Sequence, residues 1–390
     1  MIPLCIPDTN DAELEAVAAV LKSGWLVHGP VGAAFEKEFA AYVGAHRAVA
    51  LNSCTAALHL ALLTMHRPGE TAANVLDREH AGGEVILPSF TFVASANAIV
   101  QAGYTPVFVD IDPYTCNVDA ACVEEAITEH TVALMPVHYA GQCADMMPLL
   151  RLADQHRLTL IEDSAEAIGA TYGKRRTGSF GLGCFSFFAT KNMTTGEGGM
   201  LTTQDDDTAE AAIALRGHGI PSGTWQRNKA DQPWKRNAIY PGFNFRMPDI
   251  LAAIGRVQLG KLDAMNTARR RHAAYLHAHL PQDELLLPVE QGHGQHVYQM
   301  YTVQLTSADV VRDRFVQELR ARGVGASVHF DPPAHLHDYY RERGCNRVPL
   351  PITEMVANRI VTLPMYPTLT EDDLKSLVRS VKEALVAARR

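Results

Sequence analysis

The chain has 390 residues, 47% of them hydrophobic and 20% charged, and a formal net charge of −8. That is the composition of an ordinary globular protein long enough to bury two cores, and it excludes a disordered or low-complexity chain. No apolar run reaches membrane-spanning length, and an acidic balance without a basic face argues against nucleic acid as a partner.

The opening Met1-Ile2-Pro3-Leu4-Cys5 lacks a basic region followed by an apolar core, so no export leader is expected. The seven cysteines are an odd number without a CxxC pair or a cluster of histidines. Reduced thiols, a cytoplasmic location and no structural metal follow as expectations.

In chain order, the first predicted element is a helix from Asp11 to Ser23, with Asn10 as N-cap, Leu14, Val17 and Leu21 on one face, and Gly24 as its stop. The loop Gly24 to Pro30 is either a turn anchored by Trp25 or a segment that reaches over a site. From Ala48 to Thr203, short apolar strands alternate with helical stretches: Ala48-Leu51, Glu84-Leu87, Pro106-Val109, Val132-Val137, Leu158-Ile161, Gly183-Phe187 and Met200-Thr203. Continuously apolar strands are expected of a sheet covered on both faces, so this part reads as an α/β domain with a mostly parallel sheet. The polar stretch His66 to Gly83 breaks the rhythm and is expected to be a surface insertion.

Residues 1–247 are assigned to an N-terminal arm and large domain, and 248–390 to a smaller C-terminal α+β domain. The latter begins with a helix from Pro248 to about Arg271. It continues with strand-like Tyr298-Gln304 and Gly325-Phe330 on either side of a helix from about Asp309 to Arg322. Thr370 to Asp373 form a capping box for a last helix that carries Leu374, Leu377, Val378, Val381 and Leu385.

Ligands of parallel sheets bind at the strands' carboxyl ends, which selects the loops that carry chemistry. Strand Leu158-Ile161 runs into Glu162-Asp163, an acidic pair with Asp163 aimed at a ligand. Pyridoxal phosphate requires such a carboxylate near its ring nitrogen, a lysine for a Schiff base, and donors for its phosphate. Lys191 follows the apolar run Phe185 to Ala189, where an amine can be offered to a carbonyl carbon; a surface lysine capping a strand is the alternative. Ser53, Thr55 and the free amides of the following helix start form an anion cradle, to which Ser186 can add a hydroxyl; an ordinary N-cap is the alternative for Thr55. Phe90 and Phe92 lie past a strand end; Phe92, further into the loop, is the stacking candidate and core packing is the alternative.

Competing motifs do not hold. Gly178 to Gly183 lacks the GxGxxG spacing and precedes a strand instead of following one, and Gly196 to Gly199 lacks the lysine of a P-loop. His335 and His337 have no third ligand in the sequence and are expected as an exposed loop pair.

With Asp163, Ser186 and Lys191 in this order behind the cradle, the chain resembles the DegT-like nucleotide-sugar aminotransferases, a branch of the fold type I pyridoxal-phosphate enzymes. The resemblance runs almost end to end. It includes Ser23-Gly24-Trp25, Asn52 to His59, Pro88 to Phe92, Pro136 to Gly141, Glu162 to Glu166, Phe185 to Gly199, Pro241 to Met247, Val328-His329-Phe330 and Leu363 to Pro367.

The resemblance implies Lys191 as the Schiff-base lysine and proton shuttle, Asp163 as partner of the ring nitrogen, Thr55, Ala56 and Ser186 at the phosphate, and Phe92 on the ring. It implies that Asn244 reaches the cofactor phosphate of a neighbouring subunit, hence a homodimer with shared active sites, and that Trp25 and His329 lie near the sugar nucleotide. Position 166 is often glutamine or histidine in relatives; here Glu166 takes the place at the cofactor ring. The implied reaction moves an amino group from an amino acid, usually glutamate, to a nucleotide-linked keto-deoxy sugar, with C4 as the expected position. Dehydratase relatives carry histidine at the lysine position, so Lys191 favours amino transfer over dehydration, and retention of the whole lysine, aspartate and phosphate set argues against a noncatalytic sensor that keeps the fold and cofactor.

Overall fold

The computed structural model describes residues 1–65, 82–221, 223–229, 231–345 and 348–390. The insertion expected at 66–83 therefore lies, up to residue 81, outside the described residues. In chain order the main elements are α1 (Asp11–Ser23), α2 (Pro30–Val43), β1 (Arg47–Leu51), α3 (Cys54–Thr64), β2 (Glu84–Pro88), α4 (Ala94–Gln101), β3 (Thr105–Val109), α5 (Ala120–Ala126), β4 (Thr131–Leu134), α6 (Met146–His156), β5 (Thr159–Asp163), β6 (Leu182–Ser186), β7 (Gly199–Thr203) and α7 (Asp206–Arg216). They are followed by α8 (Asp249–His279), β8 (Leu285–Leu286), β9 (Tyr301–Leu305), α9 (Arg312–Ala321), β10 (Ile360–Leu363) and α10 (Glu371–Ala387). No helix among the described residues is long and apolar enough to cross a membrane.

The first seven strands form one sheet in the order β1-β7-β6-β5-β4-β2-β3. Pairs β1–β7 and β7–β6 are antiparallel and the other four are parallel. This is the expected α/β arrangement with a mostly parallel seven-stranded sheet. Strand β4 stops at Leu134, short of the expected Val137, because Pro136 cannot donate to a ladder; Val137 keeps a single bridge to Asp163. Phe35, Phe39, Phe185 and Phe187 pack under one face of the sheet, and α3 with α4 covers the other.

Helix α1 has the expected capping box, Asn10 with Glu13, and ends at Gly24 with φ 73°. Its buried face differs from the expected one: Leu14 and Leu21 are 67% and 55% exposed, while Glu13 and Val20 face inward. Glu13 is drawn in because it accepts from the Asn10 amide at 2.9 Å and from Gln258 at 2.6 Å, and pairs with Lys261 at 2.6 Å. The loop Gly24 to Pro30 is tied to α8, where the buried Asp249 carboxylate accepts from the amides of Gly29, Val31 and Gly32 at 2.8, 3.1 and 2.8 Å. Asp249 thus serves as the cap that Gly29 has no side chain to provide.

Helix α8 outruns its expected end near Arg271 because no glycine or proline intervenes between Gly260 and Pro281. Strands β8, β9 and β10 form an antiparallel sheet whose core takes Tyr301, Val303, Phe315 and the five expected residues of α10. The segment Gly325-Phe330 is not a strand. Ser327 alone bridges Thr362, Gly325 pairs with the backbone of Ile2, and Pro332 and Pro333 bar extension. His335 is also not exposed: at 1% exposure it is hydrogen-bonded to Ser89 Oγ and lies 3.4 Å from Glu354, while His337 is half-buried.

Candidate active site

A cavity of about 340 Å³ opens at the carboxyl ends of β5 and β6. Its walls include Thr55, Phe92, Asp163, Glu166, Lys191 and His329. At one end is the start of α3. Ser53 is the N-cap, its Oγ accepting from the Ala56 amide at 3.1 Å, so Thr55 lines the cavity while Ala56 is buried beneath with its N–H taken. Strand β7 approaches this turn so closely that a Cβ on Gly199 would stand 2.3 Å from the Ser53 carbonyl carbon. Ser186, buried at the end of β6, lines the same region, and its Oγ accepts from the Phe188 amide at 3.3 Å.

Asp163 is 5% exposed. Its Oδ2 accepts from Ser95 Oγ at 2.7 Å and its Oδ1 from the Ala165 amide at 3.2 Å. Burial pushes this carboxyl above its ordinary range, and nearby Glu166 adds to the rise; the Ser95 and Ala165 hydrogen bonds and the Lys191 charge oppose it. Such a carboxylate is short of a cation. Its neighbour Glu162 belongs to the scaffold, accepting from the amides of Gly178, Phe180 and Gly181 at 2.7, 2.7 and 2.9 Å and lying 3.0 Å from His138. The two halves of the acidic pair separate because successive strand residues face opposite sides of the sheet.

Lys191 leaves the turn after β6 with its amide bonded to the Phe188 carbonyl, and its Nζ stands 3.3 Å from Glu166 Oε1. The other Glu166 oxygen accepts from the Ala140 amide at 2.9 Å. Phe92, 61% exposed, presents its ring at the mouth, whereas Phe90 is fully buried core. His329 holds Thr362 Oγ1 at 2.9 Å through Nδ1; burial lowers its pKa, an effect reinforced by Lys191 and opposed by Glu166.

Three expected site residues do not line this cavity: Ala56, buried beneath it, and two that lie further off. Asn244 is exposed beyond the end of β1, with its carbonyl 3.4 Å from Asn52 Nδ2. Trp25 packs edge-on against Trp225 with ring centroids 4.7 Å apart. Conversely, two contributors escaped the sequence reading. Ser95 was hidden as an ordinary polar residue of a short helix. Gln299, 6% exposed, donates from Nε2 to the carbonyl of Thr190, next to Lys191, at 3.1 Å, and its Oε1 has no partner among the described residues. No local signal in the sequence marks either residue.

An amine, a buried carboxylate short of a cation, a hydroxyl-bearing helix start and an aromatic ring suit a planar pyridine with an aldehyde and a phosphate. Fold and cavity together define a pyridoxal-phosphate-dependent transferase. The chain belongs to the DegT/DnrJ/EryC1/StrS aminotransferase family, which it matches over residues 7–382. It is 39% identical over 393 residues, 99% of this chain and 98% of the relative, to the spore coat polysaccharide biosynthesis protein SpsC of Bacillus subtilis (strain 168). Among solved structures it resembles the sugar aminotransferase Spr1654 of Streptococcus pneumoniae in its PMP-form, with TM-score 0.90, 27% identity and 100% of both chains covered. DesV of S. venezuelae matches with TM-score 0.84 and 34% identity over 98% of each chain. The protein is thus an aminotransferase of the sugar-modifying kind, and its family uses pyridoxal phosphate.

Proposed function

We propose that the protein transfers the amino group of an amino acid, L-glutamate by preference, to a nucleotide-linked keto-deoxy sugar at C4, as a homodimer in the cytoplasm. The observation that carries this reading is the meeting of Lys191, Glu166 and Asp163 in one cavity beside the start of α3. Bound pyridoxal phosphate supplies an aldehyde and a ring that accepts electrons. Thr55, Ser53 and Ser186 would hold its phosphate, Asp163 its protonated ring nitrogen, and Phe92 the ring face. A contribution from the Ala56 amide requires Ser53 Oγ to turn aside, since that hydroxyl takes the N–H.

Lys191 Nζ would be the amine that reaches the aldehyde of the bound cofactor and, when free, the group that would take a proton from or give one to the substrate. Glu166 keeps that amine within reach by holding Nζ on one oxygen while the Ala140 amide fixes the other. His329, kept neutral by burial, is suited to hydrogen-bond a sugar hydroxyl. The positions of Asn244 and Trp25 outside their own chain's cavity support a shared site, with each completing the cavity of a second copy. The seven free thiols suit a reducing compartment.

A panel of nucleotide-linked keto sugars, incubated with nitrogen-15 L-glutamate and read by mass spectrometry, tests the reading. The expected product carries the label on the sugar. Turnover of every sugar without nitrogen incorporation, or of none, would sink it.

A further inference from the structure

Two short segments of strained backbone meet beside Lys191. One is Tyr139 to Gly141, after β4, where Ala140 has φ 55° and Gly141 has φ 106°. The other is Val297 to Met300, just before β9, where Tyr298 has φ 46°. A positive φ is ordinary for Gly141 but costly for Ala140 and for the bulky Tyr298. Such residues persist where neighbouring contacts over-determine them, and they gather at functional sites. Here the contacts run between the two segments: the Val297 amide donates to the Gly141 carbonyl at 2.9 Å and the Met300 amide to the Ala140 carbonyl at 3.2 Å. The approach is close, since a Cβ on Gly141 would stand 2.8 Å from the Gln299 nitrogen. Arg269, 1% exposed, braces the second segment, its Nη1 donating to the carbonyls of Tyr298 and Gln299 at 3.3 Å each and of Met365 at 2.7 Å.

Each strained segment puts one donor toward the lysine. The Ala140 amide fixes Glu166, whose other oxygen meets Lys191 Nζ, and Gln299 Nε2 donates to the carbonyl of Thr190. The Cys5 thiol shares that carbonyl at 3.6 Å. Burial pushes the Cys5 pKa up against the opposing Arg269 and Lys191 charges, so the thiol keeps the proton it offers. A thiol is a weak donor, which leaves the Gln299 amide as the main hold on the Thr190–Lys191 peptide. The lysine is thus gripped twice, at its tip through Glu166 and at its backbone through Gln299. Because Oε1 of Gln299 is buried with no partner among the described residues, this side chain is a poor filler for an apolar core, and its other end has to justify it.

We propose that Gln299 is a positioning residue for Lys191: by fixing the Thr190–Lys191 peptide it sets the direction from which Nζ approaches the cofactor aldehyde, resting here on the reading of Lys191 as that amine. Stopped-flow absorbance on cofactor-free protein mixed with saturating pyridoxal phosphate tests it. Pyridoxine phosphate, an alcohol where the cofactor has its aldehyde, cannot bond an amine and probes the cavity itself. Gln299→Met and Gln299→Ala remove the donor with and without the volume. Both are expected to slow the appearance of the visible band about tenfold while pyridoxine phosphate affinity stays within about twofold of wild type. Gln299→His, whose ring offers an N–H over a similar reach, should bring the rate back to within about threefold of wild type. A folded methionine or alanine variant at the wild-type rate overturns the inference. So does a loss of pyridoxine phosphate affinity as large as the loss of rate, since Gln299 would then support the whole cavity, and so does a folded histidine variant as slow as alanine. Wild-type protein that binds pyridoxal phosphate without a visible band marks the failure of the Lys191 reading, and the inference falls with it.

Discussion

Replacing Asp163 with asparagine separates what this side chain does for the cofactor from what it costs the empty protein. The shape is kept: Oδ1 can still accept from the Ala165 amide, and Nδ2 then faces Ser95 Oγ, which can turn to accept and donate to the Phe92 carbonyl 3.2 Å away. What is lost is the charge. A hydrogen bond to a charged group is worth about 1.5–3 kcal/mol, which corresponds to pyridoxal phosphate binding weakened by about 10- to 150-fold. The cofactor-free protein should respond in the opposite direction. Because burial holds the native pKa of Asp163 above the ordinary value of 3.8, the folded chain binds more protons than the unfolded one just above that pH, so stability falls as pH rises through the raised value. Each unit of that rise costs about 1.4 kcal/mol at neutral pH, and Asp163→Asn removes the cost. Absorbance titration with the cofactor and thermal unfolding of the cofactor-free form across pH are the two assays. Unchanged cofactor affinity together with a lower melting temperature of the empty variant would refute the reasoning, since it would make Asp163 a packing residue.

Three further substitutions address other parts of the molecule. Lys191→Ala should remove the visible absorbance of a lysine-bonded cofactor and lower turnover about a thousandfold, while thermal unfolding of the cofactor-free form stays near wild type. Gly199→Ala should weaken cofactor retention on dialysis, because the new Cβ would meet the Ser53 carbonyl carbon at 2.3 Å and the Cys54 nitrogen at 2.5 Å, both backbone atoms; overpacking of this kind costs about 1–3 kcal/mol. Burial alone would raise the pKa of Glu36, but the Arg216 charge and the contact with His28 outweigh it and bring the value to about 2. The stability this carboxylate supplies is complete above the ordinary 4.5 and lost as pH falls toward 2. Glu36→Gln should therefore cost about 3–5 kcal/mol in urea unfolding at neutral pH and flatten that acid limb.

The strands, and the lysine and carboxylate at their ends, were legible because they depend on a local signal, runs of apolar residues, although the stop that Pro136 sets for β4 and the cap that Ser53 makes for α3 were passed over. Residues whose place is set by distant partners were not. Leu14 and Leu21 looked like the inner face of α1, but the pull of Gln258 and Lys261 on Glu13 fixes its rotation, and those residues come from α8, far along the chain. Ser95 and Gln299 reach the site through hydrogen bonds to Asp163 and Thr190 that no spacing in the sequence encodes.

Asn244 and Trp25 pose a different problem. Their motifs accompany those of the cavity in the sequence, yet in the folded chain they lie outside it, Asn244 bridging Gly217 and Trp25 packing on Trp225 next to the exposed Leu26 and Val27. A cavity-associated motif that folding leaves on the outside has a role only when another surface is brought to it. The exposed Leu26 and Val27 next to Trp25 give that surface an apolar component. If the partner is a second copy, mixing Lys191→Ala chains with Asn244→Ala chains should restore activity in about half of the mixed dimers' sites, since one cavity then has both residues intact. Activity no greater than the sum of the two separate variants, with mixed dimers demonstrated by mass spectrometry, would place Asn244 outside the catalytic assembly.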